Sequence, residues 1–295
     1  MAMIIDGKAE AERVRGEVRS RVEQIVASGR PTPGLRVVIV GDHPASRAYV
    51  RTKARVAREV GIDGQVIELP HSVTTDDLLA VVADINADRS VHGVLVQLPL
   101  PSKVDAGRIQ RAIDPTKDVD GFHPLNLGRL ASSPQPLAEP GLIPCTPLGC
   151  MHLLESVHGR DGLRGANAVV IGRSNIVGKP MAALLLAADC TVTVAHSKTR
   201  NLKRFTKSAD IMVAAIGRPR MIGADYIRSG ATIIDVGMNR IVDDGESRLV
   251  GDVFFGPVSR VAGAITPVPG GVGPMTVASL MRNTLTAYEL QGVGG

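Results

Sequence analysis

Aromatic residues are almost missing from this chain. Phe, Tyr and Trp make up 2% of its 295 residues, with three Tyr and no Trp. That disfavours a nucleic-acid binder that stacks bases on aromatic platforms. It also means that the core has to be assembled from Val, Ile, Leu and Ala, and that each Tyr is worth locating. Cysteine is scarce as well. Cys145, Cys150 and Cys190 are too few to staple a chain of this length. They form no CxxC pair, and no His stands at metal-ligand spacing from them, so no metal site is expected. Reduced thiols in a cytoplasm are. No apolar stretch approaches the roughly 18 residues of a membrane span. MAMIIDGKAEAERVRGEV, at the N-terminus, lacks the basic-then-apolar order of a secretory signal. There is no internal repeat and no low-complexity tract.

What is present suits a globular protein. Hydrophobic residues are 44% and charged residues 21%, which excludes an intrinsically disordered chain. The length allows one large domain or two medium ones. The net charge is +5, but Lys and Arg are scattered. Most of the excess reads as solvated surface and the rest as a match for a small anionic ligand, with neither nucleic acid nor membrane as a partner.

Strand and helix signals alternate. Residues 8–28 read as a polar helix. LRVVIV (35–40) is a continuous apolar run closed by Gly41, as in a strand buried on both faces. A helix over 45–60, a strand over 64–70, a helix over 75–88 and a strand over 92–98 follow. This repetition implies a parallel sheet. Between 114 and 147 the prolines 115, 124, 134, 136, 140, 144 and 147 crowd together. The stretch reads as long irregular backbone, with a domain boundary near its end. A second strand-helix unit follows, with strands over 166–172, 190–195, 210–217 and 231–237. The loop PVPGGVGPMT (267–276) leads into a last helix over 276–290, which can return to pack on the first domain. The expected class is α/β, in two domains.

VVIGRSNIVGKP runs from strand to helix through a glycine-rich turn. It is not a P-loop. Five residues separate Gly172 from Gly178, and Pro180 stands where a hydroxyl would hold Mg²⁺. A dinucleotide turn needs glycine where strand becomes helix, so that backbone approaches a pyrophosphate. Gly172 and Gly178 meet that need, while Ser174 replaces the middle glycine. An ordinary tight turn is the alternative. The next strand ends in His196-Ser197-Lys198 without the acid that marks NAD specificity, and Arg173 follows the first glycine. That corner suits a 2′-phosphate, so NADP is expected over NAD.

The helix PASRAYVRTKARVAREVG is the most informative segment. Arg47, Arg51, Arg55 and Arg58 are spaced four, four and three, and so share a solvated face. Tyr49, Lys53, Val56, Ala57 and Val60 share another. Lys53 either snorkels to the surface or is desolvated there, fit to act as acid or base. Gln97 interrupts an apolar run near the carboxyl end of a strand, where open α/β sheets bind ligands. Its amide is paired with Lys53 or a substrate, or with loop backbone. Asp118 and Asp120, in KDVDGFHP, either make turns or serve a site.

These segments have a family likeness. YVRTK (49–53), GVLVQLPLP (93–101), KDVDGFHPLNLGRL (117–130), PCTPLG (144–149), VVIGRSNIVGKPM (169–181), DVGMNR (235–240) and PVPGGVGPMT (267–276) carry it. Together they resemble the bifunctional methylenetetrahydrofolate dehydrogenase/methenyltetrahydrofolate cyclohydrolase family, from about residue 3 to 290. The resemblance implies a catalytic, folate-binding domain over 1–143 with the C-terminal helix 276–290 packed on it, and a Rossmann-like NADP-binding domain over 144–275. It implies oxidation of 5,10-methylenetetrahydrofolate with NADP⁺, then hydrolysis of the methenyl product to 10-formyltetrahydrofolate, in a cytoplasmic homodimer. By the same likeness Lys53 is the catalytic lysine, Tyr49 packs against the folate, Gln97 stands beside the lysine and Asp120 holds the pterin. Gly273 and Thr276 belong to the substrate side. Gly172, Arg173 and Ser174 form the cofactor-phosphate turn, Ser197 touches the 2′-phosphate, Thr146 approaches the nicotinamide, and Met238 contributes a backbone contact. Leu125 replaces a common Tyr and Lys179 a common Arg, which affects fine substrate contacts. A shikimate-type NADP dehydrogenase has a similar layout but no need of the Tyr49, Lys53, Gln97 and Asp120 set.

Overall fold

The computed structural model describes residues 1–134, 141–243 and 245–292. Pro136 and Pro140 of the proline-rich stretch lie outside the described residues. The chain forms two compact units. The first holds Arg13–Arg129 and the chain from Val277 onward; the second holds Met1–Glu12 and Thr146–Thr276.

A two-residue strand, β1 (Met3–Ile4), precedes helix α1 (Gly7–Ala27), whose first turn is capped by Asp6 Oδ1 accepting from the Lys8 and Ala9 amides. Then come β2 (Gly34–Val40), α2 (Pro44–Glu59), β3 (Asp63–Leu69), α3 (Thr75–Ala87) and β4 (Gly93–Val96). A capping box between Thr74 and Asp77 starts α3. These strands form a parallel sheet in the order β3-β2-β4. Every residue of the central β2 is buried. Leu35, Val37 and Ile39 pack in one layer with Val22, Val56, Leu280 and Tyr288. Val38 and Val40 pack in the other with Leu78, Val82 and Ile109. Burial on both faces is why this strand reads as an unbroken apolar run.

The proline-rich stretch is more regular than its composition suggests. It is preceded by α4 (Ala106–Ala112) and contains α5 (Pro124–Ser132) and the start of α6 (Cys145–His158). Pro124 is the first residue of α5, Pro144 directly precedes α6, and Pro147 is the third residue of α6. A proline in a first turn forfeits no helical hydrogen bond. These prolines therefore start helices where irregular backbone was expected.

The second unit contains β5 (Asn167–Ile171), α7 (Gly178–Ala187), β6 (Thr191–Ala195), α8 (Leu202–Thr206), β7 (Ile211–Ala214) and β8 (Thr232–Asp235). The hairpin β9 (Asn239–Asp243) and β10 (Glu246–Val250), the short α9 (Phe255–Val258) and β11 (Ala264–Ile265) follow. Six strands pair in parallel in the order β1-β11-β8-β7-β5-β6. The chain leaves β5 toward β6 and returns on the other side to β7. That reversal is the topological switch point at which doubly wound sheets bind ligands, outside the strands' carboxyl ends.

The last helix, α10 (Val272–Leu290), begins four residues before the expected start at 276. Gly273 and Thr276 thus lie in its first turns and not in a loop. Pro274, its third residue, is tolerated there as Pro147 is in α6. From Val277 on, α10 belongs to the first unit. No helix among the described residues is long and apolar enough to cross a membrane.

Candidate active site

The arginine spacing of α2 has its expected result. Arg51, Arg55 and Arg58 are exposed, Lys53, Val56, Ala57 and Val60 are buried, and Arg47 and Tyr49, at the start of each row, are half-buried. Lys53 is only 4% exposed. Its Nζ donates to Gln97 Oε1 at 3.1 Å and stands 4.6 Å from the centroid of the Tyr49 ring. No carboxylate among the described residues lies within ion-pair distance of it. An ammonium desolvated with one hydrogen-bond acceptor and one aromatic face keeps N–H groups available for a ligand.

Gln97 follows β4 directly. Its amide N donates to Val38 O at 2.8 Å, and its Nε2 donates to Leu98 O at 2.7 Å. The bond to loop backbone fixes which way the side-chain amide faces, so that Oε1 is presented to Lys53. Both readings of this residue therefore hold at once.

The two acids of KDVDG have different surroundings. Asp118 is buried, and its Oδ2 accepts from the His123 amide at 2.8 Å and from Asn126 Nδ2 at 2.9 Å. Burial pushes its carboxyl up from the ordinary value, and these bonds pull it back. Asp118 is used by the turn. Asp120 is half-buried, and no hydrogen bond from a described residue reaches its carboxylate. Burial pushes its carboxyl up and the Lys53 ammonium pulls it down. Its neighbours are firmly held. Asn283 of α10 donates through Nδ2 to Val119 O at 2.8 Å and to Ile143 O at 2.7 Å. Gly121 has φ +74°, and a Cβ there would sit 2.5 Å from Ile143 C. Asn283 carried no signal in the sequence beyond being an amide in an apolar helix, since its partners are more than 130 residues away.

A second buried lysine, Lys117, is 5% exposed. It donates to three backbone carbonyls, those of Ile85, Asn86 and Asp88, at 3.1, 2.8 and 2.7 Å. It closes the carboxyl end of α3. Burial lowers its pKa, and Asp114 and Asp88 oppose that.

In the second unit, the glycine-rich turn sits at the switch point. Gly172 has φ +132°, and a Cβ there would lie 2.3 Å from Ala215 O, just past β7. Gly178 opens α7, and a Cβ there would meet Gly172 O at 2.2 Å. Backbone alone fits, as close approach to a pyrophosphate at a helix N-terminus requires. Ser174 Oγ accepts from the amides of Val177 and Gly178 at 3.2 and 3.4 Å, so the residue in the middle-glycine position braces the turn. Arg173 is exposed, as is Ser197 just past β6. These residues fit a phosphorylated dinucleotide. Met238 is 61% exposed in the segment after β8. The Thr146 and Thr276 hydroxyls are 3.0 Å apart. Gly273 packs near Met238, whose Cε would be 3.5 Å from a Cβ there. Leu125 is exposed at the start of α5. All three cysteines are free and buried. Among the described residues no group of His, Cys, Asp or Glu could hold a metal ion.

Comparison with known proteins agrees over the whole chain. Residues 5–120 match the tetrahydrofolate dehydrogenase/cyclohydrolase catalytic domain, and residues 144–292 match the NAD(P)-binding domain of the same family. Bifunctional protein FolD 1 of Mesorhizobium japonicum is 55% identical, over 99% of this chain and 98% of its own. The crystal structure of the bifunctional methylenetetrahydrofolate dehydrogenase/cyclohydrolase from Campylobacter jejuni superposes with a TM-score of 0.92 at 43% identity, covering 99% of this chain and 100% of that one. The corresponding enzyme of Trypanosoma brucei, complexed with NADP cofactor and inhibitor, gives 0.92 at 37% identity over 99% and 98%. The chain belongs to the tetrahydrofolate dehydrogenase/cyclohydrolase family.

Proposed function

We propose that this protein oxidises 5,10-methylenetetrahydrofolate to the 5,10-methenyl compound with NADP⁺ and then hydrolyses it to 10-formyltetrahydrofolate. The observation that carries the reading is the Lys53 ammonium, buried without an ion-pair partner between the Tyr49 ring and the Gln97 amide. NADP⁺, when bound, supplies the hydride acceptor. Gly172, Arg173 and Ser174 hold its phosphates, Ser197 its 2′-phosphate, and Thr146 and Met238 its nicotinamide end. Tyr49 offers a flat face to the folate and Asp120 accepts from the pterin, with Gly273 and Thr276 on the substrate side. These contacts supply orientation.

The hydrolytic step needs proton transfer. Water adds to the methenyl carbon and loses a proton; the carbon–N5 bond then breaks as N5 takes up a proton and the new hydroxyl gives up its own to become the formyl oxygen, so that one proton is released overall. Lys53 is the residue that moves the proton, and Gln97 fixes its Nζ. The folate-binding domain is taken as 1–143 with 276–290, and the NADP-binding domain as 144–275. The protein acts as a cytoplasmic homodimer, with no nucleic-acid or membrane partner. The test is a spectrophotometric assay with methylenetetrahydrofolate and either NADP⁺ or NAD⁺, followed through decay of the methenyl absorbance. Reduction of NADP⁺ with subsequent decay is expected. No reduction of either cofactor, or a methenyl signal that decays no faster than in buffer, rejects the proposal.

A further inference from the structure

Two carboxylates without a cationic partner lie at the carboxyl edge of the second unit's sheet. Asp235 ends β8 and is 3% exposed; Asp252, two residues past β10, is fully buried. No Lys or Arg among the described residues lies within ion-pair distance of either. Such charges are tolerated only when N–H donors replace the lost water. Asp252 has four. Oδ2 accepts from the amides of Ile216 and Gly217 at 2.6 and 2.9 Å, and Oδ1 accepts from the Arg218 amide and from Asn239 Nδ2, both at 2.9 Å. Asp235 accepts from the amides of Gly237, Asp252 and Val253 at 3.0, 2.9 and 2.9 Å.

What these donors belong to is the telling point. Residues 216–218 follow β7, and residues 237–239 follow β8. The first segment adjoins Ala215, whose carbonyl closes off the space at Gly172. The second contains Met238, whose neighbour on each side is tied to a carboxylate, through the amide of Gly237 and the side chain of Asn239. Met238 is itself exposed. The pair therefore fixes backbone on both sides of an exposed residue and braces the turn at the switch point.

We propose that Asp252, seated on Asp235, is a positioning residue for NADP⁺: it holds the 216–218 and 237–239 segments where the cofactor meets the sheet edge. The inference rests on the cofactor reading above. It predicts a selective defect. An Asn at 252 presents an NH₂ where N–H donors point, so the Ile216 and Gly217 bonds fail in one orientation of the amide and the Arg218 bond in the other, where Asn239 must also turn its oxygen inward.

The experiment is steady-state kinetics and NADP⁺ titration on Asp252→Asn, Asn239→Ala and the wild-type chain. Asp252→Asn is expected to raise the KM for NADP⁺ about tenfold or more, with kcat changed less, since each lost bond to a charged group is worth a factor of roughly ten. Hydrolysis of added methenyltetrahydrofolate, which uses no cofactor, stays within about twofold. Asn239→Ala, which removes one strap at a partly exposed residue, raises the same KM by about threefold and decides the matter alone if Asp252→Asn fails to fold. Normal wild-type binding with both variants within twofold of it, or hydrolysis falling in step with oxidation, overturns the positioning role. No NADP⁺ binding by the wild-type chain overturns the cofactor reading and the positioning role with it.

Discussion

Lys53 and Lys117 are both buried in the first unit, and they are buried for opposite ends. Lys117 gives its ammonium protons to three backbone carbonyls at the end of α3. Nothing is left over, and the charge serves the fold. Lys53 meets one amide oxygen and one aromatic face. Its surroundings leave hydrogen-bonding capacity unused, which costs stability and keeps the group available. The lesson is that burial alone does not mark a functional charge. A buried charge whose hydrogen bonds are complete reads as structural; one whose bonds are incomplete reads as waiting for a ligand.

The largest test of this contrast is Lys53→Met. Hydrolysis of methenyltetrahydrofolate is expected to fall by about 10³-fold, the usual scale of a lost proton-transfer group. The melting temperature holds or rises, because an underpaired buried charge is removed. NADP⁺ binding persists. Full hydrolytic activity in the purified variant would break the assignment. Lys117→Met is expected to do the reverse. Three carbonyls lose their donor, so urea unfolding should show about 3 kcal/mol of lost stability. Turnover per folded molecule is unchanged. Equal stability losses in the two variants would erase the distinction.

A basic residue at the surface sharpens it further. Arg173 is exposed, so Arg173→Ala should leave stability within experimental error. It should raise the KM for NADP⁺ about tenfold and that for NAD⁺ far less, because a guanidinium–phosphate contact is lost in one case only. Equal effects on the two cofactors would count against a 2′-phosphate role.

The smallest effect extends the contrast to acids. Burial pushes the Asp235 carboxyl up to about 7 from its ordinary 3.8, against its three amide donors, and Asp252 adds to the rise. The folded chain then binds more protons than the unfolded one between these values. Its contribution to stability falls as pH rises from about 4 to about 7, and is flat above. Asp235→Asn removes that slope. Melting curves of both proteins between about pH 4.5 and 8 should show the difference between them shrinking as pH rises. A constant difference would mean that Asp235 does not titrate there.

Much of this organisation could be read from residue order. β2 and β5 announced themselves as apolar runs because both faces are buried. The arginine spacing on α2 put Lys53 on the face away from the solvated one, and left open whether its ammonium snorkels out or is buried; its burial depends on the sheet and Gln97 packed over it. Other features were not legible. β1 and β11 are two residues long and have no period. The prolines at 124, 144 and 147 looked like breakers but sit at helix starts, where the same missing N–H is harmless. Asp118 and Asp120 looked alike, since what separates them is the set of amides that each does or does not receive. Asn283 and Asp252 were invisible for a related reason. Their roles depend on partners brought in from far along the chain.

That distance has a consequence for synthesis. Met3 and Ile4 emerge early yet pair only with Ala264 and Ile265. The segment that bears Asp120 is clamped only when Asn283 arrives. The second unit's sheet therefore stays open at β8 until almost all of the described chain has been made, and the first unit's β3-β2-β4 sheet, whose strands are complete by Val96, waits as long for α10 to cover it. Early termination yields no smaller working enzyme. It yields a first unit without its last helix and a six-stranded sheet without β11.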